Sequence, residues 1–345
     1  MKKDSSFLII FILTFSLFFL FFVFINWPLK IQGKEFTIYS QENLQEIAGR
    51  LKKEKIIPSA SLFVILVRLY QKEKSLQPGV YYFSSQISLK KLISILTNKN
   101  FNNSMFLIKE GETLNEIEEK MKEKGMLQGE LTNYRLGDFF EEGQCLKEYF
   151  FDHQDASLEG FLFPDTYHFP PGLNEKELLK IILDNFCQKF FDNQIKEKII
   201  SFQHNFQEYN LKNEPSFYDI LIMASLLEKE VKTEEEKRMV ADILWRRLSK
   251  EMPLQIDATV CYAHFKKFQD CFLTQKDLKI DSLYNTYIFT GLPPTPISNP
   301  GIESIKSVVS PLKNNFWFYL TAKDGKAIFS ESYEEHLNNR NKYLK

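Results

Sequence analysis

An excess of either charge is missing from this chain. Lys plus Arg number 44 and Asp plus Glu 45, a formal net charge of −1, so there is no long-range field of one sign to gather phosphates along a nucleic acid. Nucleic acid is not expected as a partner. Metal-site spacing is missing as well: Cys145, Cys187, Cys261 and Cys271 form no Cys-x-x-Cys pair and no Cys/His grouping of zinc type. Neither a metal nor a cofactor is expected. The four cysteines read as scattered buried thiols. If the body lies outside the cytoplasm a disulfide becomes open to them, Cys261 and Cys271 being nearest in sequence, but connectivity cannot be read at this level. The chain also lacks a second long apolar run and a small-x-small cleavage site behind its first one.

That first run carries the clearest physical signal. Residues 7–25 hold no charge, and 19 helical residues span roughly 28 Å, close to the hydrocarbon thickness of a bilayer. Lys2 and Lys3 precede it, and Asn26, Trp27 and Pro28 follow, with an indole for the interface and a proline where the helix must stop. The expectation is an uncleaved anchor that crosses the membrane once, with the remaining chain on its outer side. The 33 Phe are numerous, but eight lie in this run and the others read as core filling. A 44% hydrophobic content over 345 residues is enough for more than one domain.

A repeat follows the anchor. Asn43, Leu44, Glu46, Ile47, Leu51 and Ile56 recur as Thr113, Leu114, Glu116, Ile117, Met121 and Met126, each offset by 70 residues. Each copy sits behind a short β-like stretch and places apolar residues at helical spacing, so both read as strand, turn, helix. The second copy, Ile108-Lys-Glu-Gly-Glu-Thr-Leu, resembles a LysM module, a small fold associated with polymers that contain N-acetylglucosamine. The other reading is a packing unit that holds the rest off the membrane. Residues 79–83 read as a strand and 88–97 as a short helix.

From about residue 158 helices alternate with loops rich in Pro and Asn. Residues 218–229 are apolar on most sides, which indicates a buried helix, and it runs into Glu228-Lys-Glu230. A second helix opens at Thr233 and Glu236, at capping-box spacing. Residues two apart on a helix point some 200° apart, so Glu228 and Glu230 cannot share one cleft. Glu230 stacks over Met223, Leu226 and Leu227, whereas Glu228 lies over Leu221, Ala224 and Ser225. Desolvation and the negative helix end should raise the pKa of Glu230 toward neutrality, as a general acid needs. On these lines alone the two acids read as solvated residues at a helix end; the loops downstream alter that balance.

Residues 254–260 alternate strictly and read as a short β element, with Gln255, Asp257 and Thr259 on one face. Amide, carboxylate and hydroxyl in register suit the hydroxyl and acetamido groups of a sugar. Tyr284-Asn-Thr-Tyr and Gly291-Leu-Pro-Pro-Thr-Pro-Ile-Ser-Asn-Pro-Gly then supply Tyr284, Asn285, Thr286 and Asn299 on a backbone stiffened by proline. These stretches, together with Leu158-Glu-Gly-Phe-Leu-Phe-Pro-Asp-Thr-Tyr, Met223-Ala-Ser-Leu-Leu-Glu-Lys-Glu, the whole of residues 252–262 and the trailing segment 329–336, resemble the MltG/YceG-like family of endolytic murein transglycosylases from about residue 30 to the C-terminus. The resemblance places the family's catalytic glutamate on Glu230 and its cleft on Gln255, Asp257, Thr259, Tyr284, Asn285, Thr286, Asn299, Glu159 and Asp165. Glu159 and Asp165 read more readily as loop-fixing acids. Three positions depart from the family's pattern: Val231 where Thr is usual, Lys237 where Arg is common, and Thr295 in place of Gly.

The expected fold is α+β: an N-terminal transmembrane helix (1–27), a first α/β unit (28–104), a LysM-like unit with its connector (105–150), and a mainly helical catalytic domain with a short β element (151–345). What the resemblance implies is cleavage of the MurNAc-GlcNAc bond of peptidoglycan glycan strands, with one acid and no second carboxylate, leaving 1,6-anhydro-MurNAc ends. It also implies a place in the cytoplasmic membrane, near cell-wall synthases, where strand length is set. Two rivals remain: a hydrolase of lysozyme type that uses Asp257, and a non-catalytic wall-binding scaffold.

Overall fold

The structure is a computed structural model that describes residues 26, 28–29, 34–39, 42–83, 87–97, 105–169, 173–265, 268, 271, 273–322 and 325–344. The apolar run at 7–25 lies outside them. Among the described residues no helix is long and apolar enough to cross a membrane. The class is mixed α+β, mostly helical, with short strands.

In chain order the strands are β1 (Pro28–Leu29), β2 (Lys34–Ile38), β3 (Gly79–Phe83), β4 (Ile87–Ser88), β5 (Met105–Ile108), β6 (Asp165–His168), β7 (Phe318–Thr321) and β8 (Ala327–Ser330). The helices are α1 (Leu44–Lys53), α2 (Ala60–Leu69), α3 (Leu89–Leu96), α4 (Leu114–Glu123), α5 (Cys145–Phe150), α6 (Glu175–Phe190), α7 (Asn193–His204), α8 (Phe217–Glu230), α9 (Glu234–Ser249), α10 (Asp257–Phe265), α11 (Ile302–Val309) and α12 (Tyr333–Tyr343). The chain divides into two compact units, one of residues 1–106 with 167–178, the other of residues 107–166 with 179–345.

In the first unit β2 pairs antiparallel with β3, Phe36 opposite Tyr81. Helices α1, α2 and α3 bury Leu44, Ile47, Leu51, Phe63, Leu66, Leu92 and Leu96 in one core with these strands. Tyr81 is wholly buried and its hydroxyl donates to the Gln77 carbonyl at 2.5 Å, as a buried phenol requires.

The repeat is structural in detail. Asn43 caps α1 and Thr113 caps α4, each in a reciprocal capping box with Glu46 or Glu116. Glu42 accepts from the Tyr39 amide and pairs with Arg50, while Glu112 accepts from the Lys109 amide and pairs with Lys120. Both helices end on a left-handed residue, Lys55 (φ 56°) or Gly125 (φ 66°). The next amide then reaches back to Leu51 or Met121, at 2.8 and 2.9 Å, which satisfies a carbonyl the helix end would leave open. Every one of these partners is displaced by 70 positions.

The second unit is built round α8, which is buried along nearly its whole length. Helix α9 lies beside it, and the Trp245 indole donates to the Val308 carbonyl of α11. Phe150, Phe161, Phe186 and Phe190 pack in one aromatic cluster, edge to face or tilted except for the stacked pair Phe186 and Phe190, which gives the abundant phenylalanine its structural use. Strands β7 and β8 form a hairpin with Tyr319 opposite Phe329.

Two sequence expectations are corrected here. Residues 254–260 are not a strand: the chain turns at Gln255, whose φ is 56°, and Asp257 opens helix α10. The cysteines are not scattered thiols: Cys145 bridges Cys187 and Cys261 bridges Cys271, leaving none free. The loop-closure relation gives about 4 kcal/mol for the bridge that spans 42 residues and about 3 kcal/mol for the one that spans 10. Replacing Cys145 and Cys187 together by Ser is expected to lower the thermal midpoint more than the same change at Cys261 and Cys271, as differential scanning calorimetry would measure.

Candidate active site

Helix α8 begins with a Ser216 cap in a box with Asp219 and runs to Glu230. Beyond it Val231 is extended, and Thr233 starts α9 in a capping box with Glu236. The two acids of the junction have opposite surroundings. Glu228 is almost enclosed: Oε1 accepts from the buried ammonium of Lys237 at 3.1 Å, and Oε2 accepts from the Gly301 amide at 2.9 Å and the Ser304 hydroxyl at 2.7 Å. It therefore caps α11 across the chain and has a cation of its own. Lys237, one of the departures from the family's pattern, supplies that cation.

Glu230 meets no such set. Its Oε2 accepts from the Tyr319 hydroxyl at 2.9 Å, and its main-chain carbonyl accepts from Thr321 Oγ1 at 3.1 Å. Burial, with the Tyr319 hydrogen bond and Arg247 acting in the opposite sense and the charge of Asp257 in the same one, leaves its carboxyl pushed up to about 7. Arg247 stays fixed because Nε and Nη2 donate to the Trp317 carbonyl at 3.0 and 2.7 Å, and Nη1 donates to the Leu254 carbonyl at 2.7 Å. One buried guanidinium thus ties the approach to β7 to the approach to α10.

The residues nominated from sequence divide into two groups. Gln255 and Asp257 are exposed, and Tyr287 donates to Asp257 Oδ1 at 2.5 Å. The left-handed backbone of Gln255 is unusual for a residue with a side chain, and such strain concentrates at functional sites. It is held by its amide bond to the Thr286 carbonyl at 3.0 Å. Tyr284 is half-buried, and its hydroxyl shares a 2.7 Å hydrogen bond with Thr295.

The remaining nominees, Asp165 apart, face inward. Thr259 and Thr286 are buried, hydroxyl to hydroxyl at 2.9 Å, and Thr286 Oγ1 also accepts from the Ile256 amide. Asn285 donates to the carbonyls of Leu278 and Ile280. Asn299 donates to the Glu112 carbonyl and accepts from the Leu162 amide. Glu159 accepts from the Leu114 amide and from Tyr262 Oη, and so fixes that ring inside the core. Gly160 must lack a side chain, since a Cβ there would lie 2.6 Å from Pro296. Asp165 pairs with Asn185 and Lys189 on α6. These side chains brace the backbone around them.

Sequence reasoning missed Tyr319, Tyr287, Arg247 and Thr321. The faint signal for two of them was alternation at 319 and 321 ahead of the trailing motif.

The sequence matches the YceG-like family model over residues 36–342. It is 30% identical over 318 residues to a Bacillus subtilis protein named endolytic murein transglycosylase, covering 89% of this chain and 84% of that one. A Streptococcus pneumoniae protein of the same name is 25% identical, and this chain spans 59% of its length while the match takes in 90% of this chain. Among solved structures, a yceG-like protein from Listeria monocytogenes superposes with a TM-score of 0.56 at 24% identity, over 89% of this chain and all of that one, which speaks for the fold.

Stability should separate the two acids. Glu228→Gln strands the Lys237 charge in the interior and is expected to destabilise by about 3–5 kcal/mol. Glu230 behaves oppositely. Its carboxyl holds a proton up to about 7 when folded but only to the ordinary 4.5 when unfolded. Its contribution to stability is thus whole below 4.5 and is lost as pH rises through 7. Glu230→Gln is expected to raise stability at pH 8, on the order of 2 kcal/mol after allowance for solvent at its mouth, and to leave it unchanged at pH 4. Urea denaturation at the two pH values measures both effects.

Proposed function

The chain belongs to the YceG-like family, and we infer from that membership and from the isolation of Glu230 that it is an endolytic lytic transglycosylase of peptidoglycan. The observation that carries the mechanism is the unequal treatment of two neighbouring acids: Glu228 is consumed by Lys237 and the α11 cap, while Glu230 is kept neutral to about pH 7. A glycosidic oxygen leaves poorly unless protonated as its bond breaks, and a carboxylic acid that stays neutral near pH 7 can supply the proton.

In this reading Glu230 protonates the oxygen between N-acetylmuramic acid and N-acetylglucosamine, and the electron pair of the breaking C1–O bond goes to that oxygen. The muramic C1 acquires oxocarbenium character. Glu230, now charged, takes the proton of the muramic C6 hydroxyl as O6 attacks C1 and closes the 1,6-anhydro ring. Proximity favours this internal attack, and no second carboxylate acts on water. Gln255, Asp257 and Tyr284 are proposed to contact the sugars. Thr259, Asn285, Thr286, Asn299 and Glu159 support that cleft from behind, and Asp165 steadies its own turn.

The two disulfides fit an oxidising compartment outside the cytoplasm, which is where the substrate lies. Residues 7–25 are proposed as a single-pass anchor in the cytoplasmic membrane, and residues 105–150 as a LysM-like unit, with cell-wall synthases as neighbours.

Digestion of purified peptidoglycan by the wild-type protein is expected to release 1,6-anhydro muropeptides. Glu230→Gln should lower their release by about 10³-fold or more, in line with loss of an acid that also serves as base. Reducing ends in place of anhydro ends on mass spectrometry would identify a hydrolase, and binding without either product a scaffold. The alkaline limb of the kcat/KM profile should fall near pH 7, where the free enzyme loses the Glu230 proton.

A further inference from the structure

One group touches the carboxylate of Glu230 that neither the sequence motifs nor the proposed mechanism assigns. We propose that Tyr319 is the positioning residue of the catalytic acid: by holding Oε2 of Glu230 it makes Oε1 the oxygen that carries the proton to and from the sugar. This rests on the transglycosylase reading above and deepens it.

The argument begins with donors and acceptors. The Tyr319 hydroxyl lies 2.9 Å from Oε2, and among the described residues Oε1 accepts no hydrogen bond. Were the proton on Oε2 it would have to be donated to the phenol oxygen. The phenol hydrogen would then need another acceptor, and among the described residues Tyr319 has none. Leaving a half-buried hydroxyl hydrogen unmatched is costly, so the phenol donates and the acid proton sits on Oε1. Burial and the Glu230 charge both hold the Tyr319 hydroxyl well above its ordinary ionisation range, so it remains a donor throughout.

Placement is fixed from the backbone upward. Tyr319 and Thr321 are two apart on β7 and share one face. The first takes the side chain of Glu230 and the second its main-chain carbonyl, a two-point grip on the last residue of α8. The strand itself is held by pairing with β8 and, at the residue just before it, by Arg247 on the Trp317 carbonyl. The carboxylate is therefore oriented by the strand before any substrate arrives.

Four groups face the carboxylate from four elements: Tyr319 on β7, Asp257 on α10, Arg247 on α9 and Tyr287 in the loop after Asn285. Asp257 and burial favour the proton, whereas Tyr319 and Arg247 favour the charge. Tyr319 thus works in both half-steps. It directs the Oε1 proton outward while Glu230 is the acid, and it stabilises the anion that next accepts the C6 hydroxyl proton on Oε1.

The test compares the full-length wild-type protein with Tyr319→Phe, which keeps the ring and removes only the hydroxyl. Expected are a kcat lower by about 10- to 100-fold with KM within about twofold, the range for one oriented hydrogen bond at a reacting group, and an alkaline limb moved to higher pH because the anion has lost its donor. Asp257→Asn should move that limb the other way. A Tyr319→Phe protein with unchanged kcat, or with a raised KM alone, overturns the proposal. So does a rate loss with an unmoved limb, which marks a structural role. If the variant folds poorly, 3-fluorotyrosine at 319 preserves the shape and strengthens the donor, and the Glu230 carboxyl followed by ¹³C NMR should titrate lower; an unmoved titration again overturns it. Failure of the transglycosylase reading is seen separately, as absence of anhydro ends from the wild type.

Discussion

The buried pair of Glu228 with Lys237 is the constraint on which the site depends. Two carboxylates two residues apart at a helix end repel each other and both seek water, yet this fold separates them by giving only one a cation in the interior. The pair alone would gain little, because desolvation of two charges offsets their attraction. Its geometry is what matters: the same carboxylate also accepts from the Gly301 amide and the Ser304 hydroxyl. The end of α8 is thereby joined to the start of α11, and Glu230 is delivered to a place where no cation forms a direct pair with it among the described residues.

Around that acid the second unit divides its polar side chains between cleft and frame. Asn285 and Asn299 bond main-chain atoms of loops, while Thr286 and Glu159 each bond one main-chain amide and one side-chain hydroxyl. Proline-rich segments need such partners, since they form few ladder bonds of their own and a buried amide or carbonyl left open is costly. The proline loop is stitched to α8 as well, the Ile297 amide donating to Ser225 Oγ and the Ser298 hydroxyl to the Ser225 carbonyl. Between α9 and α10 the chain bends through two exposed left-handed residues, Glu251 and Gln255.

Periodicity made much of this legible. The apolar run at 218–229 is α8 to within a residue or so, Thr233 and Glu236 form the expected box, and the offset of 70 holds down to individual hydrogen bonds. Helical geometry also anticipated that burial raises the carboxyl of Glu230. Alternation failed at 254–260 because so short a run fits either period, and the deciding fact, a left-handed Gln255, is set by Thr286 in a distant loop. Polar residues in Pro- and Asn-rich loops looked like ligands since sequence does not reveal which backbone groups they must satisfy. Cys145 and Cys187 meet only through the packing of α5 against α6, and Tyr319 reaches the acid from a strand 89 residues downstream.

The 70-residue period looks like a pair of interchangeable parts, but the second copy has been mortared in. Its turn at Gly111 donates to the Asn299 carbonyl and accepts from Lys229 Nζ, and the Glu112 carbonyl accepts from both the main-chain and the side-chain amide of Asn299. Lys229 is the residue between the two acids. The second copy is thus a strut under the helix end that carries both acids, and two segments alike in spacing are unlike in what rests on them.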